Sequence, residues 1–208
     1  MKFVSLAGVS VLAVSIVCLP ANAQRTGGTE MGNAESVISS WPDTAQKAAK
    51  MMIQQYGQPN EITPTHLVWE NNGPWKRTIV YKEEVEHNFP MPHKDVLEQF
   101  VDFRVPPDKF DDLAEYDGSV IAERTKGEIS ARCDKEPMNF LALNLANDIV
   151  TGKRNVDDAR KFYADTVKQF MKGEKPAYTQ KLQFTVTRAA ADPDKTIIQK
   201  SEVEALKK

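Results

Sequence analysis

Cysteine is nearly absent from this chain: Cys18 and Cys133 are the two among 208 residues. Cys18 lies in an apolar leader, so removal of that leader leaves Cys133 alone and excludes an intrachain disulfide. Lipidation of Cys18 is disfavoured by Val17, because a lipoprotein signal places a small residue before its cysteine. Basic clusters are missing as well. Lys and Arg total 27 against 29 Asp and Glu, a net charge of −2, and no stretch concentrates the positive residues. Such a chain offers little to a phosphate backbone, so nucleic acid is not an expected partner. Beyond the N-terminus no run approaches the roughly 20 apolar residues of a membrane span. HExxH, CxxC, the GxSxG elbow, a phosphate-cradling glycine loop and a dinucleotide fingerprint are all lacking. Enzyme classes that announce themselves by such motifs are thereby disfavoured, and no cofactor is expected.

What the N-terminus does contain is an export signal. Lys2 precedes an uncharged stretch over residues 3–19, Pro20 breaks it, and Ala21-Asn22-Ala23 supplies the small residues that signal peptidase requires. Residues 1–23 read as a cleaved signal peptide, which places the protein in a periplasm or outside the cell. The remaining 185 residues carry a net charge of −3 and suffice for one domain with a real core. Residues 24–38 read as a flexible leader, 39–188 as the domain and 189–208 as a polar tail.

Within the domain, Ser40 and Pro42 open a helix that Gly57 ends, with Ala45, Ala48, Ala49, Met52 and Tyr56 on one face. Strand patterns cover residues 65–70 and 75–83, joined by a hairpin loop at Asn71-Asn72-Gly73-Pro74. A proline-rich loop, residues 87–93, leads to a third strand over 96–105. A short helix over 108–116 precedes a second hairpin, 119–125 with 128–133, in which Ile129, Ala131 and Cys133 share a face. Residues 134–151 form a helix apolar nearly all round, interrupted by a stripe of Asn144, Asn147, Asp148 and Thr151. Asn155 caps a second helix folded back on the first, and residues 178–188 alternate as a last strand. The fold class is therefore α+β: an antiparallel sheet of about six strands, an N-terminal helix, and an antiparallel helix pair inserted before the last strand. A sandwich or half-barrel curled around the buried helix is the other arrangement.

Four sets of residues qualify as a site. Cys133 stands where a strand meets a helix N-terminus, which favours a thiolate, and His66, His87 and His93 are the three histidines available as its base. The same cysteine on an apolar face also reads as a small core residue. His87 and His93 flank a stiff proline loop with Glu83, Glu84, Glu86 and Asp95 nearby, a zinc or copper set if they converge and a surface loop if they do not. Trp69, Trp75 and Phe89 either pack the first hairpin or line a ligand groove. Asn144, Asn147 and Asp148 either face solvent along one helix edge, bond a neighbouring segment or line a polar pocket. The acidic run Asp108, Asp111, Asp112, Glu115 and Asp117 fails the EF-hand pattern, since Leu113 stands at a ligand position, and reads as a solvated helix face.

The leading expectation is a non-catalytic periplasmic or secreted module that binds a small molecule or a partner protein. The alternatives are an enzyme built on Cys133 and a histidine, and a metal-binding protein built on His87 and His93. Intact mass of the protein recovered from its export compartment is expected to correspond to a chain beginning at Gln24, and a chain that still carries residues 1–23 would overturn the leader reading.

Overall fold

The computed structural model describes Met1 and residues 34–186, 192 and 194–207; the rest of the signal segment, and residues 24–33 of the leader, lie outside the described residues. Six strands form one antiparallel sheet: β1 (Glu61–Ile62), β2 (His66–Glu70), β3 (Arg77–His87), β4 (His93–Asp102), β5 (Val120–Glu123) and β6 (Glu128–Cys133), in the order β1-β2-β3-β4-β6-β5. Among the described residues six helices accompany it: α1 (Ala34–Ile38), α2 (Asp43–Tyr56), α3 (Phe110–Tyr116), α4 (Glu136–Val150), α5 (Val156–Met171) and α6 (Lys200–Leu206). The α+β class read from the sequence is the one observed. No described helix is long and apolar enough to cross a membrane.

Register decides which face is the core. Leu67 pairs with Val80, Val80 with Leu97, and Leu97 with Cys133, so these four side chains share a face. The helices cover that face in two clusters. Leu67, Trp69, Val80 and Leu97 pack against Ala34, Ile38, Ala45, Ala48, Ala49 and Met52 of α1 and α2. Val101, Ile129, Ala131 and Cys133 pack against Leu141, Leu145 and Tyr163 of α4 and α5. The opposite face is more polar: Glu98 accepts hydrogen bonds from Ser130 Oγ at 2.7 Å and Tyr81 Oη at 2.8 Å, and Arg77 lies 3.9 Å over the Phe100 ring.

Three local expectations need correction. The segment over residues 178–188 is not a strand in its described part. A 3-10 turn at Ala177–Thr179 begins an irregular strap that runs through Val186 beside α4. Its alternating Leu182, Phe184 and Val186 pack on the core cluster, while Asn144 on α4 satisfies its backbone groups, so no ladder is required. The sixth strand is instead β1, on the far edge, and among the described residues the α4–α5 pair precedes no strand. Secondly, folded structure starts inside the stretch read as leader, since Ala34 and Ile38 of α1 are fully buried. Thirdly, Ser40 closes α1 through Val37 O at 3.3 Å, and the N-terminus of α2 is satisfied from β3, where Glu84 Oε1 accepts the Thr44 N–H at 3.0 Å. Asn155 does cap α5, accepting the Asp158 N–H at 2.8 Å.

One buried carboxylate ties these pieces together. Glu136, at the start of α4, accepts Gln55 Nε2 at 2.6 Å and Tyr56 Oη at 2.8 Å from α2. It also accepts Trp75 Nε1 at 2.6 Å from the first hairpin and Gln99 Nε2 at 2.7 Å from β4. Burial and the Glu136 charge together push the Tyr56 phenol well above its ordinary range. Close packing beneath this knot explains Gly73: its φ is 62°, and a Cβ there would sit 3.0 Å from the Tyr56 ring. Glu136→Ala strands four donors, those of Trp75 and Gln99 buried and those of Gln55 and Tyr56 nearer the surface, and is expected to destabilise by about 3–5 kcal/mol, whereas Trp75→Phe, which breaks one bond, costs about 1–3. Urea unfolding midpoints of the two variants measure the difference, and equal midpoints would contradict the shared-acceptor role.

Candidate metal centre

The second long hairpin, β3–β4, builds the site. Both strands continue further toward the proline loop than the sequence pattern suggests, so that His87 and His93 become direct cross-strand partners. Their rings lie 4.9 Å apart between centroids, tilted by 51°. Asp95 is two residues beyond His93 on β4, hence on the same face, and is 2 % exposed. One donor atom from each of His87, His93 and Asp95 lies within 4.8 Å of the others.

The hydrogen bonds fix which atoms face inward. His93 Nδ1 lies 2.9 Å from the Met91 carbonyl, which only accepts, so Nδ1 carries the proton. Nε2 of the same ring then points at Asp95 Oδ1, 3.2 Å away, a buried oxygen that has no other partner. His87 Nδ1 lies 3.4 Å from Asp95 Oδ2 and its Nε2 lies 3.5 Å from Asp117 Oδ1. Ser119 Oγ donates to Asp95 Oδ2, and the Ser119 N–H donates to Asp117 Oδ1 at 2.9 Å. Asp117 is pushed up by burial, against the opposing pull of the Ser119 N–H and His87. On His93, burial lowers the pKa, but Asp95 and Cys133 outweigh it and raise the imidazole to about 11. The positively charged form of His93 is therefore favoured beside Asp95.

The spacing suits an ion. Two donors held at about 2.1 Å in tetrahedral geometry lie roughly 3.4 Å apart, close to the two His–Asp separations here. Each ligand also has an outer partner: Met91 O for His93, Ser119 for Asp95, and the Asp117 carboxylate beside His87. Beside His93 opens a cavity of about 250 Å³, walled in part by Pro90, Met138, Tyr163, Val167 and Phe170.

The other sequence candidates divide clearly. Cys133 contacts His93 and lines the same cavity but is 5 % exposed, and burial raises its thiol while His93 partly offsets this. That environment favours the neutral thiol over the activated nucleophile. His66 sits on β2, half-buried, with Nδ1 3.1 Å from Thr63 Oγ1 and Thr65 Oγ1, and belongs to no such cluster. Trp69 and Trp75 are both buried, one donating to Gly57 O at 2.9 Å and the other stacking on Phe140; Trp75 also touches a cavity shared with Asn71, Pro74, Lys76 and Asp102, away from Phe89. Phe89 packs between Tyr116 and Tyr163 beneath Arg160. Asn144 and Asp148 are buried rather than an exposed edge. Asn144 bonds Tyr178 O, Lys181 O and Gln183 N; Asp148 pairs with Lys153 and Arg154 and accepts Tyr178 Oη at 2.9 Å. Asn147 is half-buried, and its carbonyl accepts Thr151 Oγ1 at 2.7 Å.

Asp117 and Ser119 were not legible as site residues. In sequence Asp117 belongs to an acidic run on a short helix, and only the turn between α3 and β5 aims it at His87. No protein family, curated protein or solved structure matches this chain.

Removal of the Asn144 side chain leaves three backbone groups of the strap without their partner. Asn144→Ala is expected to cost about 1–3 kcal/mol and to accelerate amide exchange at Gln183 selectively. Unchanged exchange across residues 177–186 would show that packing alone holds the strap.

Proposed function

We propose that this chain is an exported metal-binding protein in which His87, His93 and Asp95 hold one divalent transition-metal ion. The observation that carries the reading is the convergence of His87, His93 and Asp95, with His93 Nε2 3.2 Å from a buried carboxylate oxygen of Asp95 that no other group satisfies. An imidazole that spends its other N–H on a backbone carbonyl is oriented as metal-binding histidines are. Two imidazoles and one carboxylate suit zinc, copper(II), nickel or iron(II) better than magnesium or calcium. Three protein ligands leave a fourth position for water or an incoming group.

In this reading the small ligand of the exported module is the metal itself, and the buried tryptophans serve the core. Titration of the purified chain with zinc or cobalt(II) is expected to saturate at one equivalent. An ion present at a hundredfold excess over its Kd stabilises by about 2.7 kcal/mol, which for a chain of this size raises Tm by roughly 5–10 °C. Asp95→Asn and His87→Gln, both close in shape to the originals, should abolish that rise. If neither ion shifts Tm, the site is an imidazolium–carboxylate pair and the proposal fails.

A further inference from the structure

The cavity beside His93 is lined by a set of sulfur donors. Met91, Met138, Met171 and Cys133 all contribute to its wall, together with His93. The whole sequence holds seven methionines and two cysteines, so three methionines and a cysteine around one cavity of about 250 Å³ is a concentration. The donors are also graded in depth. Met171 is 67 % and Met91 46 % exposed, whereas Met138 is 6 % and Cys133 5 % exposed, with Cys133 in contact with His93. Core packing explains the inner pair but not the outer one, because an exposed methionine gains little from burial.

The outer pair comes from different elements, Met91 from the hairpin tip and Met171 from the last residue of α5. Three rotatable bonds let each thioether swing toward the cavity. Thioether and thiol sulfur are soft donors that select Cu(I) from among the common biological ions, and imidazole accepts copper as readily as zinc. We propose that the cavity binds a soft monovalent metal ion, Cu(I), received at the surface by Met91 and Met171 and held inside by Met138 and Cys133. The inference goes beyond the divalent-centre reading: the sulfur donors line a cavity whose wall includes His93, but they share no ligand atom with that centre.

Silver(I), a redox-inert stand-in for Cu(I), tests it in chloride-free buffer on the full chain carrying Cys18→Ser, so that Cys133 is the one thiol. The parent is expected to take up one silver ion against a competing chelator. Met91→Leu with Met171→Leu, which conserves volume, should weaken that binding roughly 10–100-fold, the range for loss of groups that support a metal, and leave zinc titration unchanged. His87→Gln should do the reverse, weakening zinc and sparing silver. Silver affinity unaltered in the double leucine variant overturns this inference even where zinc binds. Methionine-dependent silver binding in a chain that binds no zinc upholds it and removes the divalent centre instead.

Discussion

The fold is organised around one buried negative charge. Glu136 stands at the start of α4 with no cation among its hydrogen-bond partners and is satisfied by four neutral donors from three other parts of the chain. An unpaired interior carboxylate is costly, and only convergence of several N–H and O–H groups makes it tolerable. That requirement sets the positions of α2, the first hairpin and β4 relative to α4 at once. Each depends on the others, since loss of any donor leaves the charge less compensated.

Fixing α4 in turn fixes the site. Cys133 is the last residue of β6, and α4 starts three residues later, so the helix anchored by Glu136 holds Cys133 and Met138 against the end of β4. The β3–β4 register then brings His87 opposite His93, across a shift between Val80 and Val85 that adjusts the pairing before the hairpin tip. The turn after α3 supplies Asp117 and Ser119 from outside the hairpin. Contacts that cross between these elements, Ser119 to Asp95 and His87 to Asp117, act with the local bond between His93 and Met91 O to orient the two imidazoles and Asp95. The same contacts place His93, one member of this polar cluster, in the wall of a largely apolar cavity that also carries sulfur side chains.

Much of the framework was legible from periodicity. The helical face of α2, the all-round apolar α4, the capped α5 and both short hairpins carry local signals strong enough to read without tertiary information. The alternation of residues 182–186 was equally clear and misled, because a two-residue period buries one side of a segment whether its partner is a strand or a helix. Asn144 accounts for the difference: its amide satisfies strap backbone groups, and nothing in sequence shows which segment a buried asparagine will serve.

Composition and local pattern determined the class of fold, the alternating and helical segments, and the short list from which any site had to come. Tertiary structure alone decided that His87 and His93 face each other, that Asp95 lies with them while His66 does not, and that Trp69 and Trp75 are core. Propensity acts over a few neighbouring residues, so it survives in the sequence. A binding site is a statement about distances between atoms far apart along the chain, and here those distances follow from strand register and from one buried carboxylate.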